Sequence, residues 1–154
     1  MNIMDKNTVL VAGAIVFREV SNKPLWLVVK QGEDEGWEFP KTIVRKGESS
    51  VRTVLRLMGE KASISARVLE EAGRAGGVTT INSKTLPQRH IFYLMVAKAS
   101  SGKPIGFSDS SWIEYQKAVK KLASKREMTM LKQAKDEYKK WKKFKKLKPN
   151  KVVV

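Results

Sequence analysis

The chain has 154 residues, no cysteine and a formal net charge of +16, from 31 Lys and Arg residues against 15 Asp and Glu residues. This length is enough for one domain with its own core, and the lack of cysteine excludes disulfides, thiol nucleophiles and cysteine-ligated zinc. No apolar run approaches the roughly 20 residues that cross a bilayer and the N-terminus lacks a signal-peptide pattern, so we expect a cytoplasmic protein without membrane insertion.

The first third of the chain predicts a β-hairpin. Residues Thr8–Val20 are rich in β-branched side chains, and Pro24–Gln31 follow after the turn-like sequence Ser-Asn-Lys. A short extended segment, Trp-Glu-Phe, is stopped by Pro40. Ser49 and Ser50 then stand as candidate N-caps for a helix.

Apolar residues spaced three or four apart predict a helix over Val51–Ala72, in two pieces broken near Gly59. The apolar character of residues 51–59 indicates ordered helix rather than a loop. Three glycines would end the helix, namely Gly73, Gly76 and Gly77.

The second half of the chain predicts strands and then helices. Two strands, Val78–Leu86 and His90–Ala99, are joined at Pro87. After a loop, a short extended segment leads into one helix, and a final helix covers Arg126–Leu147. The fold class is therefore α/β, with helices packed on a mixed sheet, in a single domain over residues 1–148 followed by a tail over residues 149–154.

The positive charge is concentrated near the C-terminus. Fifteen of the Lys and Arg residues fall within residues 117–151, against only Glu127, Asp136 and Glu137. A surface of this density attracts polyanions, so non-specific contact with RNA or DNA is one expectation. A solvated helix face is the other.

Two fragments carry the pattern of a known family. They are Phe-Pro-Lys-Thr-Ile-Val-Arg-Lys-Gly-Glu, ending at Glu48, and Val-Leu-Glu-Glu-Ala-Gly, ending at Gly73. Together they resemble the box G-x5-E-x7-R-E-U-x-E-E-x-G-U of the Nudix hydrolases, in which U is a bulky aliphatic residue. The resemblance covers most of the chain and implies a Nudix-type α/β/α sandwich with a mixed sheet.

In the register set by the second fragment, Glu70 and Glu71 correspond to the paired glutamates and about ten residues are inserted after Glu48. Ala66 and Arg67 then replace the family's Arg and its first helical Glu. A second register, with Arg67 as the family's Arg, keeps fewer of these matches.

The resemblance implies a metal site for Mg2+ or Mn2+. Glu70 and Glu71 would hold the ion as catalytic residues, one of them positioning or activating water. Glu48 would support the metal or, alternatively, favour the helix dipole. A replacement ligand would come from the loop that contains Glu33, Asp34 and Glu35.

Substrate contacts are implied at three positions. Lys41 and Arg45 lie in the loop that faces phosphate in the family. Tyr93 would stack on a nucleobase or else belong to the core. His90 is interpreted as a structural or solvent-facing residue.

The last third of the chain is similar to the diadenosine tetraphosphate hydrolase branch. The resemblance thus implies a metal-dependent hydrolase of a nucleoside polyphosphate such as a dinucleoside tetraphosphate. The alternative is a catalytically weakened or inactive Nudix-fold module that binds nucleotide or RNA through its basic face.

Overall fold

The computed structural model describes residues 8–98 and 103–147. The tail at 149–154 and the predicted strand end at Ala99 lie outside the described residues. No helix in the described part of the chain is long and apolar enough to cross a membrane. The strands are β1 (Val9–Val20), β2 (Lys23–Lys30), β3 (Lys41–Ile43), β4 (Ala66–Ile81), β5 (Lys84–Ala97) and β6 (Asp109–Ile113). The helices are α1 (Ser50–Arg56), which continues as a π-helical segment (Leu57–Ala62), α2 (Tyr115–Lys121) and α3 (Lys125–Leu147).

The strands form one mixed sheet in the order β4-β5-β1-β2-β6, and β3 pairs with β1. β1 and β5 run parallel, whereas the other pairings are antiparallel. The predicted hairpin is confirmed as β1 and β2, and the predicted C-terminal helices are confirmed as α2 and α3.

Helices cover both faces of the sheet, which confirms the α/β/α sandwich. Alternate residues of the central strands point to opposite faces because the side-chain period of a strand is two. Phe17 and Trp26 pack with Leu131 of α3 on one face. Leu27 and Tyr93 pack with Met58 of the π-helical segment on the other.

The predicted helix over Val51–Ala72 is correct only in its first half. Residues 50–62 are helical, which confirms that residues 51–59 are ordered helix. The helical prediction for residues 66–72 is wrong, because these residues begin β4. Register shifts at Val68/Glu70 and Glu71/Gly73 interrupt the alternation of β4, so its apolar residues acquire a helix-like spacing.

The glycines of β4 allow α3 to approach the sheet rather than ending a helix. A Cβ on Gly73 would lie 2.2 Å from the Gln133 side-chain oxygen and 2.6 Å from the Met130 sulfur. A Cβ on Gly77 would lie 2.8 Å from a terminal nitrogen of Arg126. Glycine at these two positions therefore sets the distance between β4 and α3.

Candidate functional site

The carboxylate of Glu48 links the loop between β3 and α1 to helix α1. Glu48 accepts hydrogen bonds from Arg56 Nε at 2.8 Å and from Thr53 Oγ1 at 2.7 Å. Ser49 caps α1 by accepting a hydrogen bond from the Arg52 backbone N–H at 3.1 Å. The hydrogen bond from Arg56 is the main reason that the pKa of Glu48 falls to about 2. Glu48 therefore anchors the loop to α1, and its role at a metal stays a prediction.

The pairing of Glu48 with Arg56 fixes the register of the box. The eight-residue step between them is the E-x7-R spacing of the family pattern. In the register that places Arg56 at the family's Arg, the first bulky aliphatic position of the box is Met58 and the last is Ile64. Both residues are buried. Ser63 stands at the closing glycine and has a left-handed backbone, with φ of 57°. The box therefore runs from Thr42 to Ile64.

This register corrects both sequence-based alignments. The box contains no ten-residue insertion, and the fragment ending at Gly73 belongs to β4, after the box. Arg67 consequently occupies a strand and does not replace a helical ligand. The E-x7-R spacing was present in the sequence, but the similarity of Glu70, Glu71 and Gly73 to the end of the box concealed it.

The three helical glutamates of the box correspond to Leu57, Glu60 and Lys61. Leu57 is 3% exposed and packs in the core, whereas Glu60 is exposed. Lys61 donates a hydrogen bond to the side-chain oxygen of Gln31 at 2.6 Å, and its Nζ lies 4.9 Å from the ring centroid of Phe107. The box thus presents one carboxylate, one apolar side chain and one cation.

These residues do not fit Mg2+ or Mn2+. Both are hard cations that bind oxygen ligands, chiefly carboxylates and water. Glu60 is the single helical carboxylate that the corrected register leaves, and Lys61 adds a positive charge one residue away. Among residues 8–98 and 103–147, no group of three or more His, Asp or Glu side chains is placed to hold a metal ion.

Glu70 and Glu71, the predicted catalytic pair, lie on β4 and have separate surroundings. Glu71 accepts hydrogen bonds from Arg74 Nε at 2.8 Å and from a terminal nitrogen of Arg74 at 3.0 Å, and these bonds lower its pKa. Glu70 lies in a groove beside α3 that also includes Lys140 and Trp141. The structure does not bring Glu48, Glu70 and Glu71 into one metal-binding group. Metal binding by Glu70 and Glu71 stays a prediction, although the helix on which it placed them is a strand.

Two of the predicted substrate contacts are engaged inside the protein. Lys41 Nζ is 2.8 Å from the carboxylate of Glu127, which is 3% exposed, and it also contacts Glu38. Burial alone would lower the pKa of Lys41, but Glu127 and Glu38 outweigh burial and raise it. Tyr93 is buried, and its hydroxyl lies 2.6 Å from Ser50 Oγ.

Tyr93 thus matches the core alternative, and its ring is not available for stacking on a base. Lys41 is paired with two carboxylates, and its contact with phosphate stays a prediction. Arg45 is exposed in the loop between β3 and α1, and its contact with phosphate stays a prediction. Glu33, Asp34 and Glu35, the predicted sources of a replacement ligand, are exposed in the loop after β2.

A cleft of about 660 Å3 opens between β4, β5 and the start of α1. Its lining includes the arginines Arg74 and Arg89, the polar residues Ser50, Gln88 and His90, and the apolar residues Leu10, Pro87 and Ile91. A second cleft of about 320 Å3 shares Gln88 and His90 with it and extends to Gln31 and Thr42. Sequence reasoning missed the larger cleft because it placed part of β4 in a helix.

His90 lies where the two clefts meet, and it is neutral at pH 7. It is 4% exposed, and its Nε2 is 3.1 Å from a terminal nitrogen of Arg126. Burial, followed by the charge of Arg126, lowers the pKa of His90 to about 4. Nε2 also lies 2.7 Å from Gln88 Oε1, so the ring is held between Gln88 and Arg126. The interpretation of His90 as a structural residue agrees with these contacts.

The architecture is thus a mixed sheet between helices, with a Glu-x7-Arg loop and helix on one face. The profile of the NUDIX domain family matches residues 8–141, and the chain belongs to this family. The family comprises hydrolases of nucleoside diphosphate derivatives that generally use divalent metal ions. No significant match to a curated protein was found.

Solved structures of three relatives share the fold. The Caenorhabditis elegans Ap4A hydrolase binary complex has a TM-score of 0.70 and 18% identity, covering 86% of this chain and 98% of that one. The NUDIX domain of Shewanella oneidensis NrtR, complexed with ADP ribose, has a TM-score of 0.67 and 17% identity, covering 87% and 90%. The MutT protein from Methanosarcina mazei Go1 has a TM-score of 0.62 and 16% identity, covering 89% and 99%.

Proposed function

We propose that this chain is a NUDIX-fold module that binds a nucleoside diphosphate derivative without hydrolysing it by the metal-dependent route of the family. The observation that carries this proposal is the replacement of two of the three helical glutamates of the box by Leu57 and Lys61. The proposal corresponds to the second of the two functions that the sequence predicts.

The chemistry of phosphoanhydride cleavage explains why these two positions matter. A divalent ion neutralises the phosphate oxygens and activates the attacking water, and carboxylates hold the ion in place. The Leu57 side chain has no atom that can bind a metal or accept a proton. The Lys61 ammonium would repel a nearby cation by about 4 kcal/mol per unit charge at 4 Å, for an effective dielectric constant near 20.

The clefts support ligand binding independently of catalysis. A volume of about 660 Å3 lies within the usual range for small-molecule sites. The larger cleft contains two arginines and no carboxylate, which favours an anionic ligand. The NrtR domain, complexed with ADP ribose, has a similar fold, so the fold is compatible with a ligand of this class.

The competing hypothesis is a magnesium- or manganese-dependent hydrolase of a dinucleoside polyphosphate. It requires Glu70 and Glu71 to hold the metal from β4. Glu71 is engaged by Arg74, and no third acidic or histidine ligand joins the two glutamates among the described residues. The experiment that tests the proposal also tests this competing hypothesis.

The test combines binding and turnover on the full chain. Calorimetry measures the affinity for ADP-ribose, diadenosine tetraphosphate and ATP in EDTA and in Mg2+ buffers. Chromatography measures product release from the same compounds and from capped RNA, with an active Ap4A hydrolase as positive control. We expect binding of at least one compound and no turnover above the uncatalysed rate. Magnesium-dependent turnover that disappears in Glu71→Gln would refute the proposal and establish the competing hydrolase.

Contact with RNA or DNA through residues 117–151 remains a separate prediction. The described part of this region lies mainly on α2 and α3, and many of its lysines are exposed. Some of this charge is compensated internally, because Lys142 forms an ion pair with Glu19. A nucleic-acid partner would therefore use the remaining exposed lysines.

A further inference from the structure

We propose that the larger cleft, between β4, β5 and the start of α1, is the nucleotide site and that Arg74 and Arg89 bind the phosphates of the ligand. This inference rests on the proposed function and assigns its site. The site differs from the metal box, because the phosphate charge is balanced by arginines that lie outside residues 42–64.

The charge distribution of the cleft favours a phosphate group. Arg74 and Arg89 both line it and are exposed, and none of its lining residues is acidic. Arg126 lies at its edge, where one terminal nitrogen donates to the Gly76 carbonyl at 3.2 Å. A guanidinium presents planar, paired donors that match phosphate oxygens. The smaller cleft, by contrast, is lined by Glu35 and Glu38 as well as Lys41.

The remaining lining suits the rest of a nucleotide. Leu10, Pro87 and Ile91 provide an apolar surface, and Ser50 and Gln88 provide polar atoms beside it. Small-molecule sites usually combine such a surface with a few convergent polar groups. The base and sugar would lie against this surface while the phosphates point to the arginines.

The backbone of β4 keeps the cleft open. A Cβ on Gly76 would meet only the Gln88 carbonyl oxygen, at 3.9 Å, so the space above Gly76 is free. A larger side chain at this position would enter the cleft without straining the strand. Valine also suits a strand, which makes Gly76→Val a blocking variant that keeps the local fold.

Glu71 controls how much of the Arg74 charge is available. Both of its carboxylate oxygens accept hydrogen bonds from Arg74, at 2.8 and 3.0 Å. A ligand phosphate must therefore compete with Glu71 for this guanidinium. Replacing Glu71 with glutamine removes the competing charge and preserves the size of the side chain.

The test is calorimetric titration of the full chain with ADP and ADP-ribose in EDTA. We expect Arg74→Glu and Arg89→Glu each to weaken binding at least about tenfold, since each replaces a charge-assisted phosphate contact by repulsion. Gly76→Val should weaken binding to a similar extent. Glu71→Gln should strengthen it by a few-fold, because it removes the carboxylate that competes for Arg74.

Arg67→Glu is the matched control. It makes the same change of charge at another exposed arginine of β4, but Arg67 does not line this cleft. Its affinity should stay within about twofold of the parent, provided that long-range attraction is screened at physiological salt. Circular dichroism verifies that each variant is folded.

The outcomes separate the two proposals. If the parent binds neither ADP nor ADP-ribose nor any other compound of the panel, the proposed function fails. If the parent binds but Arg74→Glu and Arg89→Glu retain its affinity, only the assignment of the site is overturned. Equal losses in Arg67→Glu and Arg89→Glu would likewise overturn it, because binding would then depend on total charge.

Discussion

Replacing Lys41 with methionine tests whether this residue has a structural role. Its ammonium lies 2.8 Å from Glu127, and the two side chains are 22% and 4% exposed. Glu127 also accepts a hydrogen bond from the Phe39 backbone N–H at 2.9 Å, so it connects α3 to the segment before β3. Lys41→Met keeps most of the side-chain volume but leaves the buried carboxylate without its cation.

We expect Lys41→Met to lower the free energy of unfolding by about 3 kcal/mol, the lower end of the range for removing one partner of a buried pair. For a domain of this size the melting temperature should fall by about 6–12 °C. Urea titration followed by tryptophan fluorescence measures the change, since the chain has 4 Trp residues. The double variant Lys41→Met/Glu127→Gln should be more stable than Lys41→Met, because glutamine carries no charge and still accepts from Phe39.

Lys140→Met serves as the matched control for this experiment. Lys140 pairs with Glu137 at 3.5 Å, and its side chain is 74% exposed. An exposed pair of this kind contributes about 0–1 kcal/mol. The reasoning would be refuted if Lys41→Met cost no more than Lys140→Met, or if adding Glu127→Gln gave no recovery. Either result would return Lys41 to consideration as a phosphate contact.

Three further predictions concern pH and charge. Because the folded pKa of His90 is lowered from 6.5 to about 4, the unfolded state binds a proton first as the pH falls, and stability should decrease between about pH 6.5 and 4. Urea titrations should find a smaller decrease in His90→Phe; an unchanged slope would contradict the prediction. The folded pKa of Glu48 is about 2 against a usual 4.5, so its pairing with Arg56 stabilises the protein above pH 4.5 and is lost as the pH falls towards 2. The destabilisation caused by Arg56→Met should accordingly shrink over this lower range, and a constant difference would show that the pair is unimportant. Reversing the exposed Lys139, Lys140 and Lys143 to Glu should abolish salt-sensitive RNA binding in filter assays while leaving ADP-ribose binding intact; salt-independent RNA binding would argue for a solvated helix face.

The sequence by itself determined the elements whose signals are local. The hairpin of β1 and β2 follows from β-branched residues around a turn, and α3 follows from an apolar stripe among lysines. The N-cap at Ser49 and the first half of the box, up to Glu48, also depend on neighbouring residues alone. The resemblance to the Nudix family then predicted the α/β/α arrangement of layers, because this order of strands and helices is typical of the Nudix fold.

Tertiary structure alone decided where the helix ends and which residues form the site. The two register shifts in β4 are accommodated by pairing with β5, and they give a strand the apolar spacing of a helix. The pairing of Glu48 with Arg56 fixes a register that neither sequence-based alignment gave, because it is a contact between the loop and α1. The cleft with Arg74 and Arg89 forms where consecutive strands β4 and β5 lie beside Leu10 and Ser50, which are distant from them in the chain. Such contacts between distant residues have no periodic signal in the sequence, whereas the local elements do.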